Sequence, residues 1–107
     1  MRQLKSKSSI MIPIRVQGIT VDGIIDTASD VTIISDKVYN SLPVKPSIVK
    51  SIALHTAGRD MSMKGYLLEP MTIDIKGLQF NESLYVAPIE DPMLIGLDFM
   101  SKYQIRN

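Results

Sequence analysis

Among the residues able to do chemistry, Asp26 has the most unusual setting. In Ile24-Ile25-Asp26-Thr27-Ala28-Ser29-Asp30 a carboxylate closes an apolar run and is followed by small, hydroxyl-bearing residues that can turn the chain. A carboxylate beside buried apolar surface loses hydration, which is tolerable where it is hydrogen-bonded or shares a proton with a second acid. Two acids sharing a proton can activate a water, one as base and the other as acid. The plain alternative is an aspartate that caps a turn, and these residues alone leave both readings open. His55, the one histidine, has no Ser or Cys nucleophile signature beside it and reads as a surface residue. The chain has no cysteine, which excludes disulfides and thiolate metal sites, and its 7 methionines are scattered as packing residues. No metal and no cofactor is expected.

The elements that must position Asp26 read as strands. Ile10, Ile12, Ile14 and Val16 alternate with Met11, Pro13, Arg15 and Gln17, then Gly18 marks a turn before Thr20 to Ile25, so a hairpin leads into Asp26. Val31 to Ser35 is a second β-branched run, and Pro43 and Pro46 punctuate a loop containing Tyr39, Asn40 and Ser41. Ser51 to Thr56 and Met61 to Leu68 flank Ala57-Gly58-Arg59-Asp60 as a projecting hairpin. Met71 to Ile75, Gly77 and Phe80 to Val86 give another strand pair, closed off by Pro88 and Pro92. Met93-Leu94-Ile95-Gly96 is a short buried-strand signature, and Asp98 is placed to N-cap the one helix expected, through Phe99, Met100 and Tyr103.

The pattern is all-β, and 107 residues fit a single small domain. The 45% hydrophobic and 21% charged residues match a globular domain rather than a disordered chain. A formal net charge of +1 offers no field to attract nucleic acid or anionic lipid, so neither is expected as a partner. The longest apolar runs fall far short of the ~20 residues that span a bilayer, and no secretory h-region is visible. Residues 1–9, with Arg2, Lys5 and Lys7, read as a flexible segment, and residues 10–107 as the domain.

Two separated motifs carry a family resemblance. Asp26-Thr27-Ala28-Ser29 resembles the catalytic Asp-Thr-Gly-Ala/Ser loop of retropepsin-like aspartic proteases. Leu94-Ile95-Gly96-Leu97-Asp98-Phe99 resembles the hydrophobic-hydrophobic-Gly stretch and helix that pack beneath that loop. The hairpin around Gly18 and the central Gly58 hairpin, which looks like the flap, extend the likeness from Ile10 to Tyr103. It is similar to the proteases of retroviruses and long-terminal-repeat retroelements, and to the related domain of DNA-damage-inducible ubiquitin-shuttle proteins.

The resemblance implies a closed β-barrel of the acid-protease type with a flap hairpin and one short C-terminal helix, working as a homodimer. It implies an aspartic endopeptidase that processes peptide or polyprotein substrates, in the cytoplasm or inside retroelement particles. The catalytic loop would be Asp26, Thr27 and Ala28, with Thr27 locking the two loops across the two-fold axis. The substrate-binding set would be Ser29, Asp30, Leu94 and the flap tip Ala57, Gly58 and Arg59, with Asp30 receiving substrate backbone amides. Ile25, Val31, Ile33, Leu94 and Ile95 surround the loop as core or pocket lining.

Two departures bear on activity. Ala28 stands where the family has Gly, which is harmless where φ is negative and strained where it is positive. Leu97 stands where many retroviral enzymes have an Arg that pairs with the residue at Asp30, so the dimer must rest on other contacts. These departures motivate an alternative, a catalytically weak or inactive module of the same fold that dimerises or binds peptides. A third possibility is an unrelated β-barrel interaction domain.

Overall fold

The computed structural model describes residues 10–55 and 62–103 of the chain. Strands β1 (Met11–Val16) and β2 (Ile19–Ile25) form the first hairpin, with Ile14, Val16 and Val21 buried. Their turn is Gln17-Gly18, with φ of 51° and 88°, and the pairing Val16↔Ile19 leaves only these two residues outside the ladder. Two successive left-handed residues match the twist of the flanking strands, and glycine takes the second position without a Cβ penalty. The same solution recurs at Lys76-Gly77, with φ of 54° and 85°, between β6 (Met71–Ile75) and β7 (Leu78–Glu82).

The remaining strands are β3 (Ile33–Ser35), β4 (Ile48–His55), β5 (Ser62–Leu68), β8 (Tyr85–Ala87) and β9 (Met93–Ile95). All nine join one sheet in the order β4-β5-β8-β3-β9-β2-β1-β6-β7. Strand β9 lies between β2 and β3, parallel to the first with Ile25 opposite Ile95, and antiparallel to the second with Ile33 opposite Leu94. The main core gathers Ile14, Val16, Ile34, Leu68, Ile73 and Ile95 among others. A second cluster of Ile33, Leu54 and Ala87, flanked by Val31, Ile52 and Met63, joins the β4–β5 hairpin to the strands beside Asp26.

Four expectations need correction. The described sheet does not close into a barrel, because β4 and β7 remain as two edges with no ladder between them. The run Phe80 to Val86 is not one strand. It breaks after Glu82, so that β7 pairs with β6 at one end of the sheet while β8 pairs with β3 and β5 near the other. Leu84, in the break, is fully buried and its carbonyl accepts from the Leu68 amide at 2.9 Å. The polar stretch Asn81-Glu82-Ser83 and the burial of Leu84 together interrupt the expected strand.

A helix not read from sequence, α1 (Asp36–Ser41), follows β3 directly. Ser35 caps it, accepting from the Val38 amide at 3.1 Å, Asp36 lies in its first turn, and the chain leaves it at Leu42 before Pro43. The C-terminal helix α2 (Leu97–Tyr103) starts one residue earlier than an Asp98 cap would allow. The Gly96 carbonyl accepts from the Met100 amide at 3.1 Å, so Gly96 is the capping position and Asp98 sits inside the first turn.

The far end of α2 is fastened to β7. Tyr103 donates to the Glu82 carboxylate, Lys102 pairs with the same carboxylate at 2.7 Å, and the Tyr103 ring lies 4.0 Å from that of Phe80. Among the described residues no helix is long and apolar enough to cross a membrane.

Candidate active site

The parallel pairing of β2 with β9 brings together two motifs that lie far apart in sequence. Because Ile25 and Ile95 are partners, the next residues, Asp26 and Gly96, leave the sheet side by side. The Asp26 amide donates to the Ile95 carbonyl at 3.0 Å, so Asp26 is the last residue tied to the sheet before the chain turns. The Ser29 amide then donates to the Asp26 carbonyl at 3.1 Å and closes a tight turn. Within it the Ala28 amide donates to Oδ1 of Asp26 at 3.0 Å, which fixes the carboxylate against its own loop.

The loop returns to the sheet over the start of α2. The Leu97 amide donates to the Ser29 carbonyl at 2.9 Å and the Asp98 amide to the Asp30 carbonyl at 3.2 Å. These are two of the free N–H groups that every helix start exposes, so the loop's own backbone does the capping. Gly96 is required for this approach. A Cβ there would stand 2.3 Å from the Val31 carbonyl oxygen and 2.8 Å from that of Ser29. Ser29 adds a bond from its hydroxyl to the Val31 carbonyl at 2.7 Å.

Each residue singled out from sequence can now be placed. Asp26 and Ser29 are half-buried, whereas Thr27, Ala28 and Asp30 are exposed or half-exposed on the loop's outer side. Leu94 is half-buried and faces its cross-strand partners Ile24 and Ile33. Ile33 and Ile95 belong to the buried set, and Ile25 and Val31 are partly exposed. Ala57, Gly58 and Arg59 lie outside the described residues, while β4 and β5 form the paired stem that leads to them.

Ala28 does not have a positive φ, since Gln17 and Lys76 alone have one among the described non-glycine residues. Its methyl group is therefore unstrained. Among the described residues no group of three His, Cys, Asp or Glu side chains could hold a metal ion.

Two residues of the site were not read from sequence in their actual roles. Thr32, only 1% exposed, donates its hydroxyl to Oδ1 of Asp98 at 2.7 Å and accepts from the Gly96 amide at 3.0 Å. Asp98 also accepts from the Thr32 amide, at 3.2 Å through Oδ2. The available signal was a polar residue at position 32 inside the otherwise apolar run from Val31 to Ile34.

The family model described as "gag-polyprotein putative aspartyl protease" matches residues 12–102, which takes in Asp26, the β4–β5 hairpin and the Gly96 turn. The chain belongs to this aspartyl protease family. Its activity class is accordingly that of an aspartic endopeptidase, and both sequence motifs fall inside the matched span. Among solved structures the fold is shared by the EIAV protease complexed with the inhibitor HBY-793. That likeness has a TM-score of 0.78, covers 94% of this chain and 93% of that one, and comes with 17% identity. No curated protein matches the chain. The half-buried Asp26 carboxylate lies inside the matched span and meets the Ala28 amide as a turn aspartate would.

Proposed function

We propose that this aspartyl protease works as a symmetric homodimer in which Asp26 of each copy supplies half of the catalytic pair, with residues 10–107 as the protease domain. The observation that carries the proposal is the placement of Asp26. It is the single Asp-Thr loop in the chain, tied to the Ile95 carbonyl and the Ala28 amide, with Thr27 and Ala28 beside it exposed. Acid-protease chemistry needs two carboxylates, and one copy provides only one. A second copy meeting the first at the exposed face of the loop completes the pair.

In that arrangement two carboxylates about 3 Å apart share one proton. The ionised one takes a proton from a water between them, the water oxygen attacks the peptide carbonyl, and the protonated partner donates to the carbonyl oxygen. The tetrahedral intermediate collapses with the proton delivered to the leaving amine, and no covalent enzyme adduct forms. Thr27 bonds across the two-fold axis. Ser29, Asp30 and Leu94 flank the bound peptide, and Ala57, Gly58 and Arg59, which lie between β4 and β5 in sequence, complete the substrate-binding set. The substrate is an extended peptide segment, and the family's polyprotein association supports a polyprotein as its source.

The absence of a positive φ at Ala28 removes one of the two reasons for preferring an inactive module, the other being Leu97 in place of Arg. The test is cleavage of a diverse peptide library by concentrated protein from about pH 4 to 7, alongside Asp26→Asn and with pepstatin added. Cutting that disappears in both controls supports the proposal. A folded dimer that cuts nothing, or cutting that survives Asp26→Asn, contradicts it.

A further inference from the structure

We infer that Asp98 is a positioning residue for the Asp26 loop, acting through the buried hydroxyl of Thr32. The role rests on the protease assignment and adds to it the group that holds the loop's returning arm.

The two arms of the loop are held differently. The outgoing arm continues directly from β2 and is tied by the Asp26 amide to the Ile95 carbonyl. The returning arm, residues 29–32, is held largely by the residues just after β9: Leu97 and Asp98 bond the carbonyls of Ser29 and Asp30, and Asp98 bonds Thr32 twice. Backbone bonds hold the arm at the Ser29, Asp30 and Thr32 carbonyls, the last accepting from the Tyr85 amide at 3.2 Å, and leave the Thr32 hydroxyl and amide to be placed by a side chain. The Thr32–Asp98 pair supplies the missing constraint.

Its chemistry is directional. A threonine hydroxyl has one proton and two lone pairs. The Asp98 carboxylate has no proton to give when ionised, so it takes the hydroxyl proton at 2.7 Å and leaves a lone pair for the Gly96 amide at 3.0 Å. Its other oxygen takes the Thr32 amide at 3.2 Å, and Oδ1 also takes the Phe99 amide at 2.7 Å. One carboxylate thus accepts from the loop and from its own helix, and the hydroxyl it orients accepts from the residue beside Asp26. An amide at position 98 could not make the same set of bonds, since its NH2 would face either the Thr32 amide N–H or the Phe99 amide N–H, neither of which can accept. Charge-assisted bonds of this kind are stronger than neutral ones, and the Thr32 end of the pair is buried while Asp98 is exposed.

The test compares Asp98→Asn, Thr32→Val and Thr32→Ser with the unaltered chain, singly and with the first two combined, at concentrations where all are dimeric. Asp98→Asn and Thr32→Val should each lower kcat about 10- to 100-fold with KM within about 2-fold, as a small displacement of a reacting group does. The double variant should be no worse than the poorer single one, because both break the same link. Thr32→Ser, which keeps the hydroxyl, should retain kcat within about 3-fold.

An independent readout is amide hydrogen exchange at Gly96. It should quicken by about tenfold or more in Thr32→Val and in Asp98→Asn, and not in Thr32→Ser. Native kcat in a folded Asp98→Asn protein, additive losses, or unchanged Gly96 exchange would overturn the role. If Asp98→Asn does not fold, Thr32→Val, which keeps the shape, decides the matter by the same two measurements. If the unaltered chain cuts nothing, the protease proposal fails, while the Gly96 exchange still decides whether the link exists.

Discussion

Ala28 and Gly96 show how one methyl group weighs differently at two points of the same loop. At position 28 the backbone is not left-handed and the side chain is exposed, so alanine fits where the family has glycine. Replacing Ala28 by Gly should then leave kcat/KM within about 2-fold and lower stability by about 0.5–1 kcal/mol, through the extra freedom given to the unfolded chain. Enzyme kinetics with a denaturant titration checks both, and a large gain in activity would mean that alanine distorts the loop. The site's legibility in the sequence divides along the same line. Asp26, Ala28 and Gly96 are recognisable because their identities depend on local backbone or on chemistry that few residue types can do. Thr32 was not legible as a site residue, because its partners Asp98 and Gly96 come from the other end of the chain and reach it only through the sheet.

The elements match the sequence pattern where local periodicity and turn chemistry agree. Gln17-Gly18 and Lys76-Gly77 define their hairpins, and alternation along β1 gives the buried face correctly. The pattern misleads where tertiary partners decide. The six residues of α1 carry no fully buried side chain, so no apolar stripe announces the helix, and its Ser35 cap lies inside a run that reads as strand. The break at Ser83-Leu84 goes with the full burial of Leu84, which no local apolar pattern announces. Where β9 ends and α2 begins, the join depends on a bare Cα. Gly96→Ala should therefore cost about 1–3 kcal/mol of stability, because the added methyl must push the Val31 and Ser29 carbonyls away. It should also lower activity, since the same carbonyls form the loop's returning arm. Calorimetry beside a cleavage assay tests this, and unchanged melting would mean that the loop gives way freely.

At the scale of the whole molecule, the described sheet is open, with β4 and β7 as edges. The β4 edge is irregular, with a register shift between Ile48 and Lys50, and the β7 edge is fastened to the end of α2 through Glu82. A bulge and charged side chains discourage edge-to-edge pairing. In the proposed homodimer the second copy would meet the exposed side of the Asp26 loop, beside which Leu97 is 43% exposed. Activity should accordingly require an intact Asp26 from each of the two copies.

Mixing tests this most directly. The unaltered chain and Asp26→Asn are combined in equal amounts, allowed to exchange subunits, and assayed at fixed total concentration well above dimer dissociation. If each site needs Asp26 from both copies, random pairing leaves about one quarter of the activity of the same total of unaltered protein. If each chain carries a complete site, about one half remains, and the shared catalytic pair is contradicted.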